Sequence, residues 1–301
     1  SGRTAMSLAQ LPEIEFAAPE HVEEACELLA RFHREGRTAW AVAGCTDWMV
    51  ERHMDEVADE PLSAVAVDLT RVKELRGIWE QDGVLRVGAA ETMLSLRRSA
   101  VVRERVPMLA QMAAEVGAMQ IQARATLGGN LISASPAADG VTALFALDAQ
   151  VVLRSENHER VVPVTQFYSG YRETVRRPDE LVVRFEMSLP ARGAHQLWRK
   201  VGTRKAQSIS KSAVAALAET DTNGRIVRAG FGVASVAERV LPLSAARALL
   251  LGARAGQIDL AGIENAVDLD IRPIDDLRST ARYRRHVTRT LVRRFVEGLA
   301  G

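Results

Sequence analysis

The chain has 301 residues and a formal net charge of +1, with 47% hydrophobic and 26% charged residues. This composition is typical of a folded protein long enough for two domains, and it argues against disorder and against a membrane protein. The near-zero net charge supplies no overall field to recruit nucleic acid, and no apolar run approaches the roughly 20 residues of a membrane-spanning helix.

Cysteine and histidine usage narrows the chemistry further. The two cysteines, Cys26 and Cys45, are too few for a disulfide framework, so a cytoplasmic location is the default expectation. They are also too few for an iron–sulfur cluster, which normally takes about four cysteine ligands from one chain. The six histidines show no paired spacing such as His-Glu-x-x-His, so we expect no metal site on this chain.

The first part of the chain alternates strand and helix patterns. Apolar residues at helical spacing predict a helix from Pro19 to Arg34, and another helix is expected around Trp48 to His53. Asp82-Gly83 reads as a hairpin turn. Strand patterns occur at 14–16, 38–42, 64–69, 74–79 and 84–88.

The later segments predict an α+β fold, because strands pair mostly by hairpins and helices lie outside. Composition changes at 190–194, which we take as the boundary between domains at 8–190 and 194–299. Thr222-Asn223-Gly224 is expected to be a turn. Helices are predicted at 92–98, 108–117, 138–147, 244–251 and 277–298, and strands at 149–154, 160–163, 181–187, 195–201, 212–219 and 226–233.

Two polar, glycine-containing segments interrupt these patterns. The first polar turn comprises residues 41–48, Ala-Val-Ala-Gly-Cys-Thr-Asp-Trp, and the second comprises residues 124–139, including Thr126, the pair Gly128-Gly129, and Asp139. Adjacent glycines let the backbone bring N–H groups against a bulky ligand, as phosphate-binding loops do. For the first turn, a structural alternative is that Gly44 takes a positive φ and a polar neighbour caps the next helix. A plain glycine turn does not account for the polar residues of the second.

Together the two turns resemble those of the FAD-binding subunit of the molybdenum hydroxylases, the family of xanthine dehydrogenase and carbon monoxide dehydrogenase. There, one loop reads roughly Gly-Gly-Thr-Asp, and the other reads Thr-Leu-Gly-Gly-Asn followed by Ser-Pro-x-x-Asp. Cys45 stands where the family usually has a second glycine. The resemblance covers nearly the whole chain, whereas the Gly-x-Gly-x-x-Gly fingerprint of a Rossmann NAD domain does not follow the first strand.

The resemblance implies a fold and a cofactor site. The fold would be a two-part FAD-binding domain of the vanillyl-alcohol-oxidase/PCMH type, split near 62–70, followed by a smaller α+β domain with an antiparallel sheet and helices. FAD itself would be the redox centre, so no side chain is expected to be catalytic. The implied FAD contacts are Ala41, Val42, Ala43, Gly44, Cys45, Thr46, Asp47, Trp48, Gly117, Ile121, Ala125, Thr126, Gly129, Asn130, Ile132, Ser133, Asp139, Leu181, Val182 and Lys200.

Structural alternatives stay open at several of these positions. Gly117 also fits a helix C-terminus, Leu181 and Val182 fit a core strand, and Lys200 fits a solvated strand charge. The arginine-rich run at 282–294 is interpreted as the solvated face of a packed helix rather than a nucleic-acid helix.

The resemblance implies an oxidoreductase subunit that works in a heterotrimer. A large molybdopterin subunit would hydroxylate the substrate. A small [2Fe–2S] subunit would pass the electrons to FAD on this chain, and FAD would pass them to NAD⁺ or another acceptor. One alternative is a stand-alone flavin oxidoreductase of the same superfamily, but no poised histidine or carboxylate constellation for its chemistry is evident. Another is a cofactor-free assembly subunit whose glycine segments are only turns.

Overall fold

The computed structural model describes residues 14–55, 64–204 and 207–300. The predicted start of the first domain at residue 8, and residues 62–63 of the predicted split, lie outside these ranges. The strands are β1 (Glu15–Ala17), β2 (Thr38–Val42), β3 (Ala64–Asp68), β4 (Ile78–Gln81), β5 (Val84–Gly88), β6 (Gln150–Arg154), β7 (Glu159–Pro163), β8 (Tyr168–Gly170), β9 (Glu173–Thr174), β10 (Leu181–Ser188), β11 (His195–Val201), β12 (Ser212–Thr220) and β13 (Ile226–Ala234).

Helices and short 3₁₀ turns connect these strands, so helix and sheet are mixed along the chain as the α+β prediction requires. The α-helices are α1 (Val22–Arg34), α2 (Trp48–Asp55), α3 (Met93–Arg98), α4 (Ala100–Arg105), α5 (Pro107–Glu115), α6 (Met119–Gln122), α7 (Leu127–Ile132), α8 (Asp139–Ala146), α9 (Ser244–Leu250), α10 (Leu260–Asp270) and α11 (Ala281–Glu297). Within the described ranges, none of the helices combines the length and apolar character needed to cross a bilayer.

The N-terminal subdomain, the described part of residues 14–68, is a small parallel sheet covered by α1. Its strand order is β1-β3-β2, with Val42 paired to Asp68 at one end. The predicted helix start at Pro19 was wrong, because the extended backbone of His21 delays the first helical turn to Val22. Helix α1 buries Leu29 and its apolar neighbours against this sheet. The first polar turn leads from the carboxyl end of β2 into helix α2.

The second subdomain, residues 69–190, contains an antiparallel sheet in the order β4-β5-β10-β6-β7. The predicted strand at 74–79 was wrong over its first half, where Lys73–Leu75 form a 3₁₀ turn that buries Leu75. Gly77, at φ +115°, separates this turn from β4. The predicted hairpin turn at Asp82-Gly83 is confirmed, since both residues have positive φ between β4 and β5.

The C-terminal sheet, β11-β12-β13, is covered on both faces. Helix α8 packs on one face and shares a core with Ala215 and Leu217, while α9, α10 and α11 pack on the other. Two glycines of β13 permit the approach of α8, because a Cβ on Gly230 or Gly232 would lie 2.1 Å from Ala146 O or 1.9 Å from Thr142 O, respectively. The chain boundary at 190–194 therefore does not separate two hydrophobic cores.

Two helices at the C-terminus differ from the sequence prediction. Helix α10 was missed altogether, and the predicted helix at 277–298 begins only at Ala281, where the Thr280 hydroxyl caps it by accepting from Tyr283 N. Arginines of α11 pair with acidic residues of α10, including Arg289 with Glu264 at 2.6 Å. This arrangement agrees with a solvated, charge-paired helix face rather than a nucleic-acid helix.

The contact between α8 and β13 predicts a large effect of one methyl group. Replacing Gly232 by alanine should lower the free energy of unfolding by at least about 1–3 kcal/mol, because the new Cβ would overlap the Thr142 carbonyl. Denaturant unfolding of the full chain measures this difference. Gly256→Ala is the control, since its Cβ would meet no atom within 4 Å and should change stability by less than about 0.5 kcal/mol. Equal stability of both variants would contradict the prediction.

Candidate functional site

A cavity of about 410 Å³ lies between the N-terminal subdomain and the second subdomain. Its volume falls within the range typical of small-molecule sites. Both polar turns line it, although they are separated by about 80 residues in the sequence. The predicted site residues on its wall are Ala41, Val42, Ala43, Gly44, Cys45, Thr46, Asp47, Trp48, Ile121, Ala125, Thr126, Gly129, Asn130, Ile132, Ser133, Leu181 and Val182. Gly117, Asp139 and Lys200 do not line it.

The first polar turn is shaped by close contact with the second. A Cβ on Gly44 would lie 2.1 Å from the carbonyl oxygen of Arg124, so only glycine fits there. Gly44 does not have a positive φ, which corrects the structural alternative considered for this turn. The left-handed residue is instead Cys45, at φ +59°.

The backbone of the first polar turn has free hydrogen-bonding capacity. Within the described part of the chain, the N–H groups of residues 44–48 donate to no protein acceptor. The first intrahelical bond here runs from Met49 N to Cys45 O. Successive unpaired N–H groups beside a cavity form a typical binding surface for an anion.

The second polar turn is partly helical, which the sequence analysis did not predict. Helix α7 contains the glycine pair, and Thr126 caps it by accepting from Gly129 N at 3.0 Å. The N–H groups of Leu127 and Gly128 donate to carbonyls of Glu91 and Ala89. This segment therefore does not offer its first N–H groups to a ligand, contrary to the expectation for adjacent glycines.

The two glycines of α7 have different structural roles. A Cβ on Gly128 would lie 2.7 Å from Ala89 O, so this position is closed by protein backbone. A Cβ on Gly129 would meet only the Thr126 hydroxyl, at 3.0 Å, and Gly129 lines the cavity. The absence of a side chain at 128 thus permits packing, whereas its absence at 129 enlarges the cavity.

Side-chain hydrogen bonds hold the two turns in one wall. The Ser133 hydroxyl donates to Asp47 Oδ2 at 2.5 Å, which joins the C-terminal end of α7 to the first polar turn. The buried Tyr168 hydroxyl donates to Leu131 O at 2.9 Å, and burial raises the pKa of this phenol. Asn130 Oδ1 accepts from Val141 N, which ties α7 to the first turn of α8.

Asp139 and Lys200 form a buried ion pair behind the cavity wall. Lys200 Nζ lies 2.5 Å from Asp139 Oδ2, and about nine-tenths of each side chain is buried. The alternative of a solvated charge at Lys200 is therefore wrong. Burial raises the pKa of Asp139 to about 6 against the attraction of Lys200, and the nearby Glu115 raises it further. The other oxygen, Asp139 Oδ1, has no hydrogen-bond partner among the described residues.

Two further hydrogen bonds join β11 of the C-terminal domain to Glu115, the last residue of α5. The indole N–H of Trp198 donates to Glu115 Oε2 at 3.0 Å, and Lys200 Nζ is 3.3 Å from Glu115 O. Val116, the next residue, lines the cavity. Gly117 itself has φ +53° and ends this segment, as its structural alternative predicted, so Val116 occupies the wall position.

Sequence reasoning missed part of the cavity wall. The missed residues are Trp40, Glu51, Leu69, Leu75, Ala89, Ala90, Arg172, Arg176 and Glu180. Most are apolar or lie far along the chain from the polar turns, and no local motif marks them. Arg172 is placed by its ion pair with Glu51, at 3.4 Å, which connects the β8–β9 hairpin to α2.

An aromatic pair stands beside the first polar turn. The rings of Trp40 and Trp48 meet edge to face, with centroids 5.7 Å apart, and both residues line the cavity. The Trp48 indole nitrogen is buried without an acceptor within the described ranges. Leu181 and Val182 are buried in the hydrophobic core and also line the cavity, so both interpretations of these two residues are correct.

Known proteins match this chain over nearly its full length. A family model described as the FAD binding domain in molybdopterin dehydrogenase matches residues 12–191, and the CO dehydrogenase flavoprotein C-terminal domain matches residues 198–299. The nicotinate dehydrogenase FAD-subunit of Eubacterium barkeri is 29% identical over 81% of each chain. The carbon monoxide dehydrogenase medium chain of Hydrogenophaga pseudoflava is 26% identical over 94% of this chain and 96% of its own.

A solved structure also matches this chain over nearly its full length. The structure of carbon monoxide dehydrogenase from Hydrogenophaga pseudoflava, which lacks the Mo-pyranopterin moiety of its cofactor, contains a chain that superposes with a TM-score of 0.86. The sequence identity is 26%, and the match covers 95% of this chain and 96% of that chain. The likeness therefore includes both the cavity-bearing region and the C-terminal sheet.

The contrast between Gly128 and Gly129 generates a prediction. Gly129→Ala should leave the free energy of unfolding of the FAD-free chain within about 1 kcal/mol of the unsubstituted protein but weaken FAD binding, because the methyl group enters the cavity. Gly128→Ala should instead lower that free energy by about 1–3 kcal/mol, because its Cβ meets Ala89 O. Denaturant unfolding and FAD titration measure the two effects. Unchanged FAD affinity in a folded Gly129→Ala chain would contradict the prediction that FAD occupies this cavity beside Gly129.

The raised pKa of Asp139 predicts a pH effect with a definite sign. The folded state keeps a proton on this carboxyl up to about pH 6, whereas the unfolded chain releases it near its ordinary value of 3.8. Its contribution to the free energy of unfolding should thus fall by roughly 1–3 kcal/mol as pH rises from about 4 to about 6. Subtracting the pH profile of Asp139→Asn isolates this contribution. A difference profile that is flat or rises in that window would refute it.

Proposed function

Because the chain belongs to the FAD-binding subunits of the molybdopterin dehydrogenases, an oxidoreductase family, its cofactor is FAD, and we propose that it carries electrons from partner [2Fe–2S] clusters to NAD⁺ or another acceptor. The cavity between the two subdomains is the proposed FAD site. The observation that carries this assignment is the convergence of both polar turns on that cavity. The division of the FAD-binding region into two subdomains supports a fold of the PCMH type.

The first polar turn suits the diphosphate of FAD. Its N–H groups at 44–48 have no protein acceptor within the described chain, and they adjoin the cavity. An anion with several acceptor oxygens would satisfy such donors without requiring a charged side chain. We assign the Thr126 hydroxyl to the same ligand, because its oxygen already accepts from Gly129 and its proton is free to be donated.

The Asp139–Lys200 pair suits the flavin end of the site. Neither residue lines the cavity, but the first turn of α8 is hydrogen-bonded to Asn130 of its wall. Asp139 Oδ1 is a buried acceptor without a partner in the described chain, and we assign it to a donor on the cofactor. Lys200 adds a buried positive charge, which would stabilise negative charge on a nearby group. When bound, FAD supplies a ring that exchanges electrons singly or in pairs. The chain's own residues bind and orient it, and none is assigned a covalent role.

The proposed assembly is a heterotrimer with a large molybdopterin-binding subunit and a small [2Fe–2S] subunit, in the cytoplasm. Support comes from the relatives, which are named as an FAD-subunit and a medium chain of dehydrogenases. The sequence supports it as well, since its two cysteines cannot supply the usual four ligands of an iron–sulfur cluster. The electrons must then reach this chain from another polypeptide.

Copurification from the native host tests the proposed function. We expect the chain to elute with two further polypeptides and with molybdenum, iron and FAD in a fixed ratio, measured by metal analysis and flavin absorbance. We also expect the substrate of the complex to reduce the flavin bound in the intact complex. The same substrate should not reduce flavin bound to this chain alone. Turnover of a small organic substrate by the isolated chain would favour the stand-alone flavin oxidoreductase instead. Failure to bind FAD, even with both partners, would reject each of these functions.

A further inference from the structure

We propose that Arg176 is the side-chain cation that binds the diphosphate of the cofactor, a role that rests on the proposed FAD site. Arg176 lines the same cavity as the two polar turns, in the segment between β9 and β10. Neither the glycine motifs nor their spacing marks this residue. The inference depends on how its guanidinium is held and on which charges surround it.

Backbone carbonyls fix the Arg176 guanidinium in place. Its Nη1 donates to Glu180 O at 2.7 Å and to Arg177 O at 3.0 Å. These two bonds use one of the three guanidinium nitrogens, and no hydrogen bond to a protein acceptor is found for the other two within the described ranges. An arginine fork held at one nitrogen presents its remaining donors in a fixed geometry, which suits phosphate oxygens.

The positive charge of Arg176 is not neutralised by an ion pair in the described chain. The adjacent carboxylate of Glu180 is instead bound by Arg160, at 2.6 and 2.9 Å, and by Arg177. Burial lowers the pKa of Arg176 despite attraction from Glu180 and Asp179. A mostly buried cation that lines a cavity without an ion-pair partner favours the binding of an anion there.

The position of the segment selects the diphosphate rather than the flavin ring. Arg172, four residues earlier, pairs with Glu51 in the first turn of α2, directly after the first polar turn. The segment between β9 and β10 and the free N–H groups of residues 44–48 line the same cavity, so one anion can be bound by both. Among the described residues that line the cavity, the other cation is Arg172, which is exposed and already paired with Glu51, whereas Arg176 is partly buried and has no ion-pair partner.

Titration of the full FAD-free chain with FAD, ADP and riboflavin tests this assignment. Arg176→Met should weaken FAD and ADP binding by the same factor, roughly tenfold to a hundredfold, and leave riboflavin binding unchanged. Arg176→Lys should recover part of the loss, since it keeps the charge. The affinity of the unsubstituted chain for ADP should also fall more steeply with salt than that of Arg176→Met.

Arg177→Met is the matched control. It removes the same charge one residue away, from an arginine that is half exposed and does not line the cavity. ADP affinity should be unchanged in this variant, because Arg160 still binds the carboxylate of Glu180 at 2.6 and 2.9 Å. Arg176→Gln, whose amide can still donate to Glu180 O, and thermal unfolding of each FAD-free variant separate loss of the turn structure from loss of the charge.

The outcomes distinguish this inference from the proposed function. If the unsubstituted chain binds FAD and ADP but Arg176→Met binds ADP equally well, the role of Arg176 is wrong and the FAD site stands. An equal loss of riboflavin affinity would place Arg176 at the flavin ring and overturn the diphosphate assignment. If the unsubstituted chain binds neither FAD nor ADP, the proposed site and this inference both fail.

Discussion

The site depends on one close backbone approach, between Gly44 and the carbonyl of Arg124. A Cβ at position 44 would lie 2.1 Å from that oxygen, so any side chain would separate the N-terminal subdomain from the segment that leads into α7. The Ser133–Asp47 hydrogen bond joins the same two elements a few residues further along. Separation at this contact would move the free N–H groups of the first polar turn away from the wall formed by Thr126 and Gly129.

The two polar turns contribute different chemistry because their backbones have different neighbours. The first turn follows the carboxyl end of β2, where no strand or cap in the described part of the chain accepts its N–H groups, so these donors are left for a ligand. The second turn begins a helix, whose first donors need acceptors and find them in Thr126, Ala89 and Glu91. Its contribution is consequently the space beside Gly129 and the side chains around it.

The sequence predicted the elements and motifs that are local, and it missed what distant segments create. Hairpin turns such as Asp82-Gly83 were predicted correctly, because two adjacent residues determine them. The structural alternative for the first polar turn placed the positive φ at Gly44 rather than Cys45, because the contact that requires glycine comes from residue 124, far along the chain. Arg176 was missed for the same reason, since no local pattern shows that it lines a cavity with the polar turns.

The contribution of the C-terminal domain to the site follows from its packing on α8. Asp139 is the first residue of that helix, and Lys200 belongs to β11, whose register places it opposite Ala213 of β12. Helix α8 rests on β12 and β13, so the core that joins the domains also fixes the distance between the two charges. A buried ion pair is costly unless its geometry is held, and here the shared core holds it. The C-terminal domain is thereby fixed to the helix whose first turn is hydrogen-bonded to Asn130 of the cavity wall.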